Sequence, residues 1–244
     1  MREWQRMPAV LERFIAPMLA PGASVLSIGC GGGADVVALR EMGFDAWGMD
    51  ASRVQRDDLP EEFRDFIVAS TLEADPFGGR QFDFAYAFDV IEHVGCRNWG
   101  TRLLPNAREQ RVGFLTAAFN TVKPGGALLL TTSNRLCPFD VGHGHRYHWL
   151  GNRLAGHIRG GLAIPWHPEN FLVSADDTRS LLDEGVGREN YVLKLEPVVA
   201  YPGISNRKGF VSALARAGLS ILDLPPLRGS VFAPVLVMYI HRLH

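Results

Sequence analysis

The sequence predicts an α/β fold: a mostly parallel sheet wrapped by helices on both faces, with an inserted cap after its fifth strand. Three observations carry that expectation. Short apolar or β-branched runs alternate with helix-period segments over the first 133 residues, the order that builds βαβ units. Glycines punctuate the ends of these runs, and the alternation breaks off after Asn134. Finally, 47% of the 244 residues are hydrophobic, which suits one domain with a sizeable core, residues 1–244, better than two independent ones.

Residues 25–28 form a β-branched run that ends in glycines, and residues 34–42 have helical spacing that stops at Gly43, a residue suited to the left-handed position past a helix end. The second strand is expected over 46–49 and closes at Asp50, the third over 66–69, and the fourth over 82–88 behind the turn-forming Gly78 and Gly79. Val112, Leu115, Phe119 and Val122 then recur at helical intervals, and Lys123-Pro124-Gly125-Gly126 ends that helix before a fifth strand at 127–132. Residues 134–206 read as the cap. Within it, Ser174 and Asp177 have capping-box spacing ahead of Leu181 and Leu182, and Tyr191, Leu193 and Leu195 alternate with charged residues as in a strand. A helix at 207–217 and two closing strands at 219–224 and 235–240 complete the chain.

Composition excludes several classes. Lys and Arg number 25 against 26 Asp and Glu, a net charge of −1, so no nucleic acid or other polyanion is an expected partner. No apolar run reaches the roughly 20 residues of a membrane span. Glu12, Arg13, Pro8 and Pro17 break up any signal-peptide core, so a cytoplasmic protein is expected. The cysteines Cys30, Cys96 and Cys137 lack CxxC spacing and suggest neither a disulfide framework nor a zinc knuckle. Nothing in the sequence fixes an oligomeric state.

Gly29-Cys30-Gly31-Gly32-Gly33 lies between the first strand and the first helix, where backbone amides at a helix start can face an anionic group without an intervening side chain. Asp50, at the end of the second strand, stands where a carboxylate accepts hydrogen bonds from a ribose. Together they suggest a ligand containing a nucleoside. Gly29, Gly31 and Ala34 also satisfy the GxGxxA form of a dinucleotide fingerprint, which keeps an NAD(P)-dependent oxidoreductase as a rival. Two features favour a nucleoside with an amino acid tail. No tyrosine is followed four positions later by lysine, and Gly33 gives GxGxG.

These residues resemble the class I S-adenosylmethionine-dependent methyltransferases. The resemblance rests on Val25-Leu26-Ser27-Ile28 with the glycine loop, on Gly48-Met49-Asp50-Ala51-Ser52, on the segment from Phe82 through Asp89-Val90-Ile91-Glu92-His93-Val94, and on Val122-Lys123-Pro124-Gly125-Gly126. It implies a Rossmann-like, seven-stranded, mostly parallel sheet whose last strand is antiparallel, and S-adenosyl-L-methionine as cofactor. Carried over by position, Gly29, Cys30, Gly31 and Gly33 pass beneath the methionine part. Asp50 holds the ribose, with Ala51 and Ser52 beside it, and Phe88, Asp89 and Val90 border the methionine and the transferred methyl. Where the family often places an aspartate against the adenine amino group, this chain has Thr71, beside Leu72.

Methyl transfer from a sulfonium demands mainly alignment in a dry pocket. For a hydroxyl acceptor a base helps, and histidine suits neutral pH. His93 reads either as that base or as a helix-start histidine bonded to backbone, and Glu92 as a support of local structure. Five of the eight histidines, His143, His145, His148, His157 and His167, fall in the cap, and residues 141–168 contain Arg146, Arg153 and Arg159 but no Asp or Glu. His143 and His145 are therefore candidate catalytic groups, and Arg146, Tyr147 and Trp149 candidate contacts for a small-molecule acceptor; the same side chains also suit a solvated loop. No metal is expected, because the spacing of His143, His145 and His148 fits no structural zinc pattern. The resulting expectation is a methyltransferase acting on a small polar acceptor at oxygen, a metabolite or a sugar. Its second rival is a non-catalytic binding module of the same fold.

Overall fold

The structure is a computed structural model that describes residues 15–51, 61–140, 143, 161–162, 170–197, 224 and 227–244. In chain order these hold β1 (Ser24–Ile28), α1 (Ala34–Glu41), β2 (Asp45–Asp50), β3 (Ile67–Ala69), β4 (Phe82–Phe88), α2 (Ala107–Asn120) and β5 (Val122–Ser133). Then follow β6 (Phe139–Asp140), β7 (Gly161–Leu162), α3 (Ala175–Gly185), β8 (Tyr191–Leu195) and β9 (Val235–Arg242).

β1 is buried along its whole length, which is why it reads as an uninterrupted apolar run rather than an alternating one. It pairs in parallel with β2 on one side and β4 on the other. The full order is β3-β2-β1-β4-β5-β9-β8, seven strands, with β9 antiparallel to both β5 and β8. The sheet is thus the expected Rossmann-like one, with a single antiparallel strand. Alternation along the strands splits the core in two. Val25, Phe84, Tyr86, Leu129 and Val237 face α1 residues Val36, Val37 and Leu39. Leu26, Ala85, Leu128, Leu130 and Met238 face α2 and α3, through Leu115, Phe119, Leu181 and Leu182.

The strand at 191–195, assigned from sequence to the cap, pairs with β9 as the edge strand of the main sheet. Its exposed and buried residues alternate because only one face of an edge strand meets the core. α3 joins the same core through Leu181 and Leu182. Residues 219–223 and the helix expected at 207–217 lie outside the described residues.

The chain order reverses between β1 and β4, whose carboxyl ends diverge into helical or irregular connections on opposite faces. That switch point is where open α/β sheets leave a crevice, and the crevice is where the sequence candidates gather.

Candidate active site

The loop from β1 to α1 turns through three left-handed glycines, Gly29 at φ 73°, Gly31 at φ 53° and Gly33 at φ 73°. Each has a separate local job. A Cβ on Gly29 would sit 2.5 Å from Cγ2 of Val90, so Gly29 lets the end of β4 close against the loop. Gly31 donates its N–H to Oδ2 of Asp50 at 2.8 Å, and a Cβ on it would meet nothing within 4 Å. Gly33 is the N-cap of α1 and has no capping side chain. Beneath the loop, Asp35 is buried and accepts hydrogen bonds from Ser27 Oγ, Tyr86 Oη and the Val36 N–H. Burial raises its carboxyl above the ordinary value despite those donors. This network ties β1, β4 and α1 together and holds the loop in register.

A cavity of about 560 Å³ opens between the ends of β1, β2 and β4. Of the expected cofactor residues it is lined by Gly29, Asp50, Ala51, Thr71, Leu72, Phe88, Asp89 and Val90. Cys30, Gly31 and Gly33 do not line it. Cys30 turns its sulfur toward Gly48, where an added Cβ would lie 2.9 Å from Sγ, and burial followed by the charges of Asp35 and Asp50 raises its thiol pKa. It is a packing residue of the loop. Ser52 lies outside the described residues.

The sequence reading missed much of the cavity's far wall. Gly95, Cys96, Asn98, Gln110 and Phe114 line it. Gly95 has φ 75°, and its would-be Cβ falls 2.5 Å from the Ala107 Cα, so the 91–96 segment can rest on the start of α2 only with glycine there. Arg111, buried on α2, donates to the carbonyls of Val94 and Glu92 at 3.0 Å and of Phe171 at 2.5 Å. The Gly95 signal was available in the sequence; the reach of Arg111 was not. Asp89 holds a left-handed φ of 54° and donates its N–H to the Thr131 carbonyl, a constrained backbone of the kind found at ligand sites.

His93 also lines the cavity, and both of its readings have a counterpart in the structure. Its Nδ1 lies 2.9 Å from the Gly100 carbonyl oxygen, while its Nε2 lies 3.2 Å from Nε2 of His143. His143 Nδ1 lies 3.0 Å from Oδ2 of the buried Asp140, which also accepts from Ser133 Oγ at 2.8 Å. Burial lowers the His93 pKa. Burial opposes the charged form of His143 too, but the hydrogen bond and charge of Asp140 prevail and raise it. Glu92 is fully buried. Burial and then the neighbouring Asp89 push it up to about 8. Phe171 stacks on His93 at 6.0 Å and meets His143 edge-on at 4.8 Å. His145, Arg146, Tyr147 and Trp149 lie outside the described residues.

Comparison with known proteins bears on this geometry. A family model described as a methyltransferase domain matches residues 1–169. The chain is 28% identical over 141 residues to a ubiquinone biosynthesis O-methyltransferase of Cereibacter sphaeroides, covering 54% of this chain and 50% of that protein. It is 30% identical over 129 residues to the protein of that name in Brucella anthropi, covering 49% and 45%. The chain thus spans about half the length of the curated relatives it matches. Among solved structures, a methyltransferase from Mesorhizobium loti superposes with a TM-score of 0.52 at 15% identity, covering 96% of this chain and 98% of that one. The plantazolicin methyltransferase BamL gives 0.55 at 12% identity, covering 100% and 87%. At such identities the structures speak for the fold alone.

Proposed function

The chain belongs to the methyltransferase-domain family that residues 1–169 match, and from that premise, with S-adenosylmethionine as the methyl donor, we propose that it methylates an oxygen of a small polar acceptor. The observation that carries this reading is the single cavity in which the glycine loop, Asp50 and the end of β4 meet at one side and an imidazole, His93, stands at the other.

The lining fits the donor. Asp50 stands at the rim with its carboxylate already braced by the Gly31 amide and takes the ribose hydroxyls. Ala51, Thr71 and Leu72 flank the base, and Phe88, Asp89 and Val90 border the methionine part. When bound, the sulfonium supplies an electrophilic methyl whose transfer needs no covalent enzyme intermediate. Ile28, Met49, Leu72, Val94 and Phe114 give the cavity an apolar wall that excludes water and keeps the donor and acceptor aligned. The acceptor approaches from the His93 side. Oxygen as the methylated atom is supported by the name of the curated relatives, O-methyltransferases. The cationic composition of residues 141–168, which include His145, Arg146, Tyr147 and Trp149, supports a polar acceptor selected by the inserted segment.

Titration calorimetry tests the donor half of the reading. Wild-type protein is expected to bind S-adenosylhomocysteine and not NADH, and Asp50→Ala to weaken that binding about 5- to 150-fold, the worth of one to three kcal/mol for a charged hydrogen bond. Binding of NADH alone overturns it. Incubation with methyl-labelled S-adenosylmethionine and panels of phenols, sugars and amines tests the acceptor half. Label confined to amine nitrogen would remove oxygen from the proposal.

A further inference from the structure

Amides at the start of a helix attract anions, yet in the turn from β1 into α1 most of them are committed inside the chain. The N–H groups of Gly29 and Cys30 both donate to the Met49 carbonyl, at 2.8 and 3.0 Å, and that of Gly33 donates to the Cys30 carbonyl at 2.9 Å. Gly31 gives its N–H to Asp50 Oδ2 at 2.8 Å, and Val36, in the first turn of α1, gives its own to Asp35 Oδ1 at 2.9 Å. Two of these acceptors are carboxylates. The glycine loop therefore runs between one acid at the end of β2 and another beneath it. Cys30 registers both: after burial, the charges of Asp35 and then of Asp50 raise its thiol pKa.

Asp35 is buried and stands outside the cavity lining, so it can act on a ligand only through its charge and through the loop it supports. Its Oδ2 accepts from Ser27 Oγ on β1 and from Tyr86 Oη on β4. Burial raises its pKa. Three hydrogen-bond donors and the amino end of α1 work the other way, toward the anion, and a cation bound above the loop joins them. A pyrophosphate set against this turn would meet spent amides and two like charges. A sulfonium or an ammonium meets an attraction instead. Because Asp35 is buried, dissolved salt screens its field far less than that of a surface charge.

We propose that Asp35 is a specificity-determining residue for the methyl donor: its carboxylate strengthens binding of the cationic sulfonium nucleoside relative to the thioether product, and disfavours adenine nucleotides whose phosphates would occupy the same turn. It acts through the field in the glycine loop and not by contact. Asp50 shares in that field but also holds the ribose directly, so the two acids separate by experiment. Loss of Asp50 removes a hydrogen bond from every adenosyl ligand, whereas loss of Asp35 sorts those ligands by charge. The inference rests on S-adenosylmethionine as the donor and on no assumption about the acceptor. It also gives a physical reason why the GxGxxA spacing of Gly29, Gly31 and Ala34 does not make a dinucleotide site.

Titration calorimetry on the intact chain at physiological salt tests this. Asp35→Asn should weaken binding of S-adenosylmethionine, and of sinefungin, which carries an ammonium where the sulfonium stands, more than that of S-adenosylhomocysteine. The expected difference is about 3- to 30-fold, the scale of a charge pair felt through protein rather than water. A merely structural role for Asp35 would lower all three affinities alike, so an unchanged ratio overturns the proposal. Wild type supplies a second measurement that needs no variant to fold. ADP should bind more weakly than adenosine, and ADP binding more tightly than adenosine would reveal an anion-accepting loop and overturn the proposal as well. Should S-adenosylhomocysteine bind wild type while the ratio stays fixed in Asp35→Asn, this inference falls and the donor reading stands. Absence of S-adenosylhomocysteine binding by wild type would sink the donor reading itself, and this inference with it.

Discussion

At the scale of single residues, two glycines that look equivalent in the loop have different reasons for being glycine. Gly29→Ala adds left-handed strain at φ 73° and drives a Cβ to 2.5 Å from Val90; Gly31→Ala adds the strain at φ 53° with open space beyond it. Left-handed backbone costs a non-glycine residue on the order of 1 kcal/mol, so Gly31→Ala should lose about that much stability and Gly29→Ala clearly more. Equal midpoints in urea for the two variants would contradict this assignment. Arg111 is a second case. Its guanidinium serves three backbone carbonyls that shape the cavity wall, and hydrogen bonds from a charged donor are worth about 1.5–3 kcal/mol. Arg111→Met should therefore cost roughly 3 kcal/mol in denaturant unfolding and weaken S-adenosylhomocysteine binding, although the residue is not on the cavity surface.

At the scale of elements, α3 shows how far local signals reach. Ser174 and Asp177 form the reciprocal capping box: the Asp177 N–H donates to Ser174 Oγ at 3.0 Å and the Ser174 N–H to Asp177 Oδ2 at 2.9 Å. Ser174→Ala should cost about 1 kcal/mol, a drop of roughly 2–4 °C in melting temperature for a chain of this size, and an unchanged midpoint would deny the cap its role. β4 and the body of α2 were equally legible, because hydrophobic period and glycine punctuation are local. The fate of β8 was not. Its alternating pattern announced a strand with one wet face, but its partner β9 begins more than forty residues later, and period-2 patterning says nothing about which strand lies alongside. The candidate site divides in the same way. Asp50, Asp89 and Val90 could be placed from motifs at strand ends. The meeting of His93 with His143, and of both with Glu92 and Asp140, depends on how the segment after β5 folds back across the ends of the strands, and no short spacing encodes that.

At the scale of the whole molecule, the two ends of the sheet carry separable duties. The carboxyl ends of β1, β2 and β4 bear the cavity, while the amino ends are fastened by charge. Asp83, at the start of β4, accepts from the Ser24 N–H and Oγ on β1 at 2.8 and 2.7 Å and from Lys123 on β5 at 2.7 Å. Partial burial acts to raise its pKa, but the Lys123 and Ser24 hydrogen bonds outweigh it and hold the carboxyl at about 2. A carboxylate depressed in the folded state stabilises above its unfolded value, near 3.8, and loses that contribution as the pH falls from there toward 2. The side chains of Lys123 and Asp83 are both nearly half exposed, so screening keeps the effect small, under about 1 kcal/mol. Wild type should exceed Asp83→Asn in unfolding free energy by that amount at pH 7, and the gap should close between pH 4 and 2 and shrink in high salt. Because the clamp sits at the opposite end of β4 from Asp89, S-adenosylhomocysteine affinity at pH 7 should be the same in both proteins. A variant that lost stability and donor affinity together would show instead that the two ends of the sheet are mechanically coupled through β4.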